Sequence, residues 1–397
     1  MKIQYLSIFF AVALATGQLI KLPPGANGLT FLDLTIATIT IWALLKAKFH
    51  LQKPPFWFFA ASFFALICLT SQLFSPLHLA LLEKLISLGY LARFLLYLLF
   101  AWVIFSKVLG NFTQIFRDSI LLAGTSLSIL GLFQIIFLPN LYFLSYLGWD
   151  PHFFRVVSTF LDPNFLGSFL IFTLLLLTIT IKLPKSQKLL SIAFLLNYLA
   201  LVGTFSRSSD LMFAFSFIIL SLLKRSLKLF ILTIILSLGI GLSYHFYNSQ
   251  IAKPKGIDRQ KSGEYRLGSW QIGLKMFNQS PIFGVGFNSY RFALKEYQLA
   301  PNSIIEGHGG SSNDSSLLTV ASTTGIIGLF SYLIFLSSLL FASFKSFFQH
   351  KNPLGAVLFA VIIGLIINSF FINSLFYPWS LFLILTSAAL LKEKIIS

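Results

Sequence analysis

The chain is punctuated by about twelve apolar stretches, and no other feature restricts its fold so strongly. They lie near residues 4–20, 29–46, 56–73, 85–106, 118–139, 164–181, 188–204, 210–223, 228–246, 316–343, 354–373 and 379–391. A helix needs about 20 mostly apolar residues to cross about 30 Å of hydrocarbon. Several stretches are shorter than that, yet their number already indicates an all-α polytopic integral membrane protein with about 12 transmembrane helices. Composition agrees: 56% of residues are hydrophobic and 10% are charged, where a soluble domain carries about a quarter charged. The 46 phenylalanines suit lipid-facing and helix-packing surfaces. One stretch breaks the pattern, a polar segment of mixed charge over 247–315. The expected organisation is therefore transmembrane helices 1–9 over 1–246, a loop domain over 247–315 with short amphipathic helices, and transmembrane helices 10–12 over 316–397. The opening stretch has a charged start and an apolar run without a convincing cleavage site, and reads as a retained first helix. The lone cysteine, Cys68, can form no internal disulfide.

Lysine and arginine in the short loops set the orientation. With the N-terminus in the cytoplasm, the inside loops hold Lys46, Lys48 and Lys53; Lys107 and Arg117; Lys182, Lys185 and Lys188; Lys224, Arg225 and Lys228; Lys345 and Lys351; and Lys392 and Lys394. The alternate short loops are nearly free of positive charge. Both termini are then cytoplasmic and the large loop is extracytoplasmic. The net charge of +17 is largely topogenic, and no basic run is long enough to suggest nucleic acid as a partner.

In this orientation three spans begin outside, at "TFLDPNFLG", "TFSRSSDLM" and "NDSSLLTV". Asp162-Pro163-Asn164, Ser206 with Ser208 and Asp210, and Asp314 with Ser315 supply capping residues and a first-turn proline. Helix N-termini present unpaired N–H groups and partial positive charge, so they favour anions. Three arginines lie outside against the charge bias: Arg155, Arg207 and Arg266. A guanidinium recognises phosphate oxygens with a fork of donors and keeps its proton. Such residues suit the diphosphate of a lipid-linked substrate. The alternatives are a snorkelling interfacial side chain for Arg207 and a solvated loop charge for Arg266 and Arg155. Residues 264–278 read as an amphipathic helix with Leu267, Trp270, Leu274 and Phe277 at helical spacing. It could lie on the membrane and project Arg266 over a cavity. Pro281, Gly284 and Gly286 mark a turn, not a dinucleotide fingerprint.

Base and nucleophile candidates are few: His308 in "EGHGGSSND", Asp314 at the start of a span, and Glu264 two residues before Arg266. Asp314 also reads as a simple cap and His308 as a solvated loop residue. No metal-ligand spacing is present. Ionisable residues within the spans are nearly missing, which argues against ion-coupled transport. Gly325 and Gly328 fall on one helix face and should permit close packing.

The pieces "FLDPNFLGSFL", "TFSRSSDLM", "R…W…L…F…SPIFGVGFNSY" and "NDSSLLTVASTTGIIG", in this order, resemble the O-antigen ligase and polymerase superfamily over about residues 155–330. That superfamily includes lipopolysaccharide O-antigen ligases, polysaccharide polymerases and bacterial protein O-oligosaccharyltransferases. Its pattern near the end of the large loop is a histidine, then Asn, Ser or Gln, nine residues, and Gly-x-x-Gly. Here Ser315, Gly325 and Gly328 keep the spacing, while Asp314 stands where the family has histidine. The resemblance implies a metal-independent glycosyl transfer in the bacterial cytoplasmic membrane, without a cofactor. The donor is a glycan on undecaprenyl diphosphate, and the acceptor hydroxyl sits on a glycan, lipid or protein. It implies that Arg207 and Arg266 bind the diphosphate, with Arg155 and Ser315 nearby, and that Asp314 or His308 serves as base. The competing readings are a transporter or flippase for a phosphate-bearing lipid-linked glycan, and a non-catalytic subunit of a polysaccharide export assembly.

Overall fold

The computed structural model describes residues 3–22, 28–181, 186–257 and 261–392. Lys182, Lys185 and Lys394, counted above in the charge pattern, lie outside the described residues. Among the described residues the fold is all-α apart from one antiparallel pair of two-residue strands, Lys21–Leu22 and Leu29–Thr30. In chain order the helices are α1 (Ile3–Ala15), α2 (Phe31–Lys46), α3 (Phe56–Leu73), α4 (Leu81–Phe105), α5 (Phe112–Phe137), α6 (Pro163–Thr180), α7 (Gln187–Gly203), α8 (Arg207–Leu223) and α9 (Leu227–Phe246). Then come α10 (Lys261–Gln279), α11 (Tyr290–Glu296), α12 (Asn302–Glu306), α13 (Ser316–His350), α14 (Pro353–Asn368) and α15 (Pro378–Ala389). A helix underlies every apolar stretch. Among the described residues six helices are long and apolar enough to cross a membrane: α3, α4, α5, α6, α9 with the turns that prolong it to Lys255, and α13. Helices α1, α7, α14 and α15 are shorter and apolar.

Helix α6 forms the centre of the bundle, with 89% of its apolar window buried, whereas only 11% of the α9 window is buried. An all-round apolar helix such as α6 can be satisfied by protein on every side, while α9 leaves most of its side chains for lipid. The phenylalanines serve both purposes. Phe10, Phe100, Phe112, Phe116 and Phe382 pack ring against ring in the interior, while Phe56, Phe133 and Phe341 are exposed. Buried hydroxyls such as those of Thr173, Thr180 and Ser343 donate to carbonyls one turn back in their own helices. This satisfies them where no water is available.

Helix α13 is broken at Gly325, whose φ of +67° and ψ of −169° lie outside helical space. The sequence suggested a glycine seam along one continuous helix; the glycine instead opens the helix so that another segment can enter. The N–H groups of Val285 and Gly286 donate to the Ser322 and Thr323 carbonyls at 3.0 Å each. Ser71 Oγ adds a bond to the Thr323 carbonyl at 2.6 Å, and Ile326 N–H donates to the Pro281 carbonyl at 2.8 Å. The Ser322 and Thr323 carbonyls and the Ile326 amide at the break are therefore paired, as burial requires. Only glycine fits here. A Cβ on Gly325 would stand 2.1 Å from the Ile282 carbonyl oxygen, and one on Gly284 would stand 2.3 Å from the Thr323 carbonyl carbon.

The segment between α9 and α13 builds a small core of its own. Met276, Val285, Tyr290, Ala293, Leu294 and Ile305 pack around Leu77 from the α3–α4 connection, and His78 pairs with Glu296 at 3.0 Å. The amphipathic helix expected over 264–278 is present as α10 (Lys261–Gln279). Leu267 and Leu274 are exposed, while Met276 and Gly273 are buried. Ser269 and Gly273, on the side that carries Arg266, meet the start of α13. A helical stripe shows which residues share a side but not which side a neighbour needs.

Candidate active site

The end of the bundle that carries the 247–315 segment gathers the starts of α6, α8 and α13. Asp162 caps α6 and accepts from the N–H groups of Asn164 and Phe165 at 2.7 and 2.9 Å, with Pro163 in the first turn. Ser206 caps α8. The two starts are tied together because Asn164 Oδ1 accepts from the Ser206 and Ser208 hydroxyls at 2.7 and 3.3 Å. The helices cross at Gly167, where a Cβ would stand 2.3 Å from Ser209 Oγ. Ser315 caps α13 through Leu318 N–H, and Ser316 N–H donates to the Ser369 carbonyl at the end of α14.

Arg155 is 4% exposed, and its guanidinium donates to the carbonyls of Thr204 and Phe205 at 2.8 and 3.3 Å. These are the last residues before the α8 cap, so Arg155 fixes the turn from which Arg207 springs. Arg207 is half-buried at the first position of α8, and its charge acts on Asp210 one turn on.

Asn313 organises the start of α13. It is fully buried, and its amide nitrogen donates to the Ser269 carbonyl and to the Tyr290 hydroxyl, the latter at 3.2 Å. Its side-chain oxygen accepts from Ser315 N–H at 2.9 Å. Asp314 N–H donates to Ser269 Oγ at 3.1 Å. These bonds dock α10 against the mouth and bring Arg266, three residues before Ser269, into the field of Asp314. The Arg266 guanidinium also lies 5.8 Å from the centre of the Phe371 ring, within cation–π range. His308 begins a 3-10 turn, His308–Gly310; its side chain lies outside the described residues. Glu264 is exposed.

Burial pushes the Asp314 carboxyl up to about 6; Arg266 pulls it back, and the charges of Asp150 and Asp162 push it further up. Asp150 and Asp162 are themselves raised by burial, with Arg155 opposing in both cases. Burial takes the Tyr290 phenol up to about 12. A carboxyl near 6 at a helix start is poised to be ionised at neutral pH and to accept a proton.

Beside this cluster lies a cavity of about 100 Å³, bordered by Lys21, Tyr90, Arg93, Trp149, Tyr290 and Tyr377. Tyr290 links it to the Asn313 network; Arg207, Arg266 and Asp314 do not line it. Arg93, midway along α4, bonds to Asp33 Oδ2 at 3.0 Å, and the two are 8% and 2% exposed. The sequence reading had the spans nearly free of buried ionisable residues, and this pair corrects it. Asp33 was hidden as a helix-start residue: it closes a capping box with Thr30 and accepts from the Tyr97 hydroxyl at 2.9 Å. Among the described residues no group of three or more His, Cys, Asp or Glu side chains is arranged to hold a metal.

The sequence nominated Arg155, Arg207, Arg266, Asp314 and Ser315, and all lie at this one end of the bundle. It did not nominate Asn313, Tyr290 or Asp150. Asn313 stood in a polar run that signals only a helix start, and Tyr290 comes from a helix whose approach to α13 depends on the break at Gly325. No curated protein matches the sequence. Residues 192–333 match a family model described as O-Antigen ligase. The matched segment runs from early in α7 into α13 and contains Arg207, Arg266, Asp314 and both glycines of the Gly-x-x-Gly pattern; Arg155 precedes it. Over this segment, about a third of the chain, the protein is similar to the O-antigen ligase family.

Proposed function

We propose that the protein is a multi-pass glycosyltransferase of the bacterial cytoplasmic membrane, with about twelve spans and the 247–315 segment on the extracytoplasmic side. It moves a glycan from undecaprenyl diphosphate to an acceptor hydroxyl. The observation that supports this reading best is the docking of α10 on the start of α13, which brings Arg266 into the field of a carboxyl held near 6.

In the proposed reaction the Asp314 carboxylate takes the proton of the acceptor hydroxyl as its oxygen bonds to the anomeric carbon. The bond from that carbon to the phosphate oxygen breaks, and its electron pair leaves with the diphosphate. Arg207 and Arg266 stabilise that developing charge by position and by forked hydrogen bonds. Arg155 acts through the backbone ahead of α8, and Ser315 through the α13 cap. His308 is the alternative base. No metal or soluble cofactor enters these steps.

The test uses purified protein in detergent with an undecaprenyl-diphosphate-linked oligosaccharide, following release of the lipid diphosphate with added acceptor. Release by the wild type that is lost in both Arg266→Ala and Asp314→Ala supports the assignment. Loss in Arg266→Ala alone moves the base to His308. A wild type that neither releases nor binds the donor excludes the transferase and favours a transporter or export-assembly subunit.

A further inference from the structure

The cavity beside the Asp314 cluster carries charge that the proposed reaction leaves unused. Its border includes Lys21 and Arg93, and among the described residues no carboxylate lines it. The carboxylate behind it, Asp33, is fully engaged: Oδ2 accepts from Thr30 N, Thr30 Oγ1 and Arg93 at 2.7, 2.9 and 3.0 Å, and Oδ1 accepts from Tyr97. Lys21 and Arg93 thus both border the cavity, while Asp33 does not. Burial and the neighbouring Arg93 charge lower the Lys21 ammonium to about 8, against the pull of Asp33. An oxyanion placed between the two cations relieves this repulsion.

The remaining wall has a different chemistry. Lys21 stacks 5.1 Å from the centre of the Trp149 ring, Arg93 lies 4.8 Å from that of Tyr90, and the amides of Asn288 and Asn373 also border the space. Aromatic side chains beside amide donors and acceptors match the mixed C–H and hydroxyl surface of a sugar.

We propose that this cavity is a saccharide subsite in which Lys21 and Arg93 bind an oxyanion carried on a sugar, so that the glycan handled by the protein is acidic. The inference rests on the transferase reading for its biological sense, but binding at the cavity does not require turnover. An oxyanion could also come from the donor diphosphate, and the experiment separates the two sources.

The experiment is isothermal titration calorimetry on the full chain in detergent with tetragalacturonate, maltotetraose and undecaprenyl diphosphate as separate probes. The variants are Lys21→Gln, Lys21→Arg and Arg266→Ala. The expected result is that tetragalacturonate binds at least about tenfold more tightly than the neutral sugar, which corresponds to about 1.4 kcal/mol. Lys21→Gln abolishes this preference, Lys21→Arg keeps it, and undecaprenyl diphosphate is weakened by Arg266→Ala and not by Lys21→Gln. Equal binding of acidic and neutral sugars overturns the proposal, as does a preference that survives Lys21→Gln. Weakening of undecaprenyl diphosphate by Lys21→Gln also overturns it and assigns the cations to the donor. If the sugar preference holds while no diphosphate is released in the transfer assay, the subsite stands and the transferase reading fails.

Discussion

Asp314 donates its backbone N–H to the Ser269 hydroxyl at 3.1 Å, and this bond joins a soluble-looking helix to the mouth of a buried one. Asn313 reinforces the joint through the Ser269 carbonyl and the Tyr290 hydroxyl. Removing the amide in Asn313→Ala leaves buried groups unpaired, at about 1–3 kcal/mol, and frees α10 to shift. We expect a lowered melting temperature in detergent and a fall in the rate of lipid-diphosphate release of about a hundredfold, since small displacements of a positioned group cost that much. Near wild-type release would show that the α10 dock is dispensable.

Arg266 should act mainly on the leaving group. Its replacement by alanine is expected to lower kcat for release by about 10²–10³-fold, the usual effect of losing one donor to developing charge. Lysine should restore only part of the rate, because a point charge does not reproduce the forked donor pattern. Steady-state kinetics on the two variants check this, and equal activity in lysine and arginine forms would reduce the role to charge alone.

The pH profile carries the signature of Asp314. Its carboxyl near 6 must lose its proton to act as base, so the rate should rise with pH and level off above about 6. Arg266 holds that value down, so in Arg266→Ala the rising limb should move to higher pH. A limb that stays in place in this variant would point to another base.

Stability should run the opposite way from activity at Asp314. The folded protein holds this proton more tightly than the unfolded chain, where the carboxyl has its usual value near 3.8. Below about pH 4 both forms are protonated and no cost arises. The cost builds between about 4 and 6 and is complete above that, on the order of 3 kcal/mol. Asp314→Asn should therefore raise the melting temperature at pH 7.5 and leave it unchanged at pH 4, while abolishing release. Thermal unfolding at the two pH values decides the matter.

Gly325 should tolerate no side chain. Alanine there meets both the positive φ and the Ile282 carbonyl at 2.1 Å, and the turn that pairs with the broken helix would have to move. We expect a loss of at least about 3 kcal/mol, seen as poor recovery of monodisperse protein. Gly241→Ala, where the added carbon meets nothing within 4 Å, is the control and should be neutral or stabilising by up to about 1 kcal/mol.

Sequence alone determined the helices and the regions where chemistry could gather. Apolar runs mark helix positions because lipid leaves the backbone no other local solution, and Asp162, Ser206 and Ser315 announce helix starts because their side chains bond to groups two or three residues away. What depends on partners far along the chain was decided only in three dimensions. Gly325 and Gly328 looked like a packing seam until residues 281–286 entered the break. The bonds from the Arg155 guanidinium to the Thr204 and Phe205 carbonyls join residues about fifty positions apart. The Arg93–Asp33 pair joins residues sixty positions apart. Local periodicity and capping are properties of a few consecutive residues, whereas a docked face, a shifted carboxyl or a cationic cavity exists only once distant groups exclude water together.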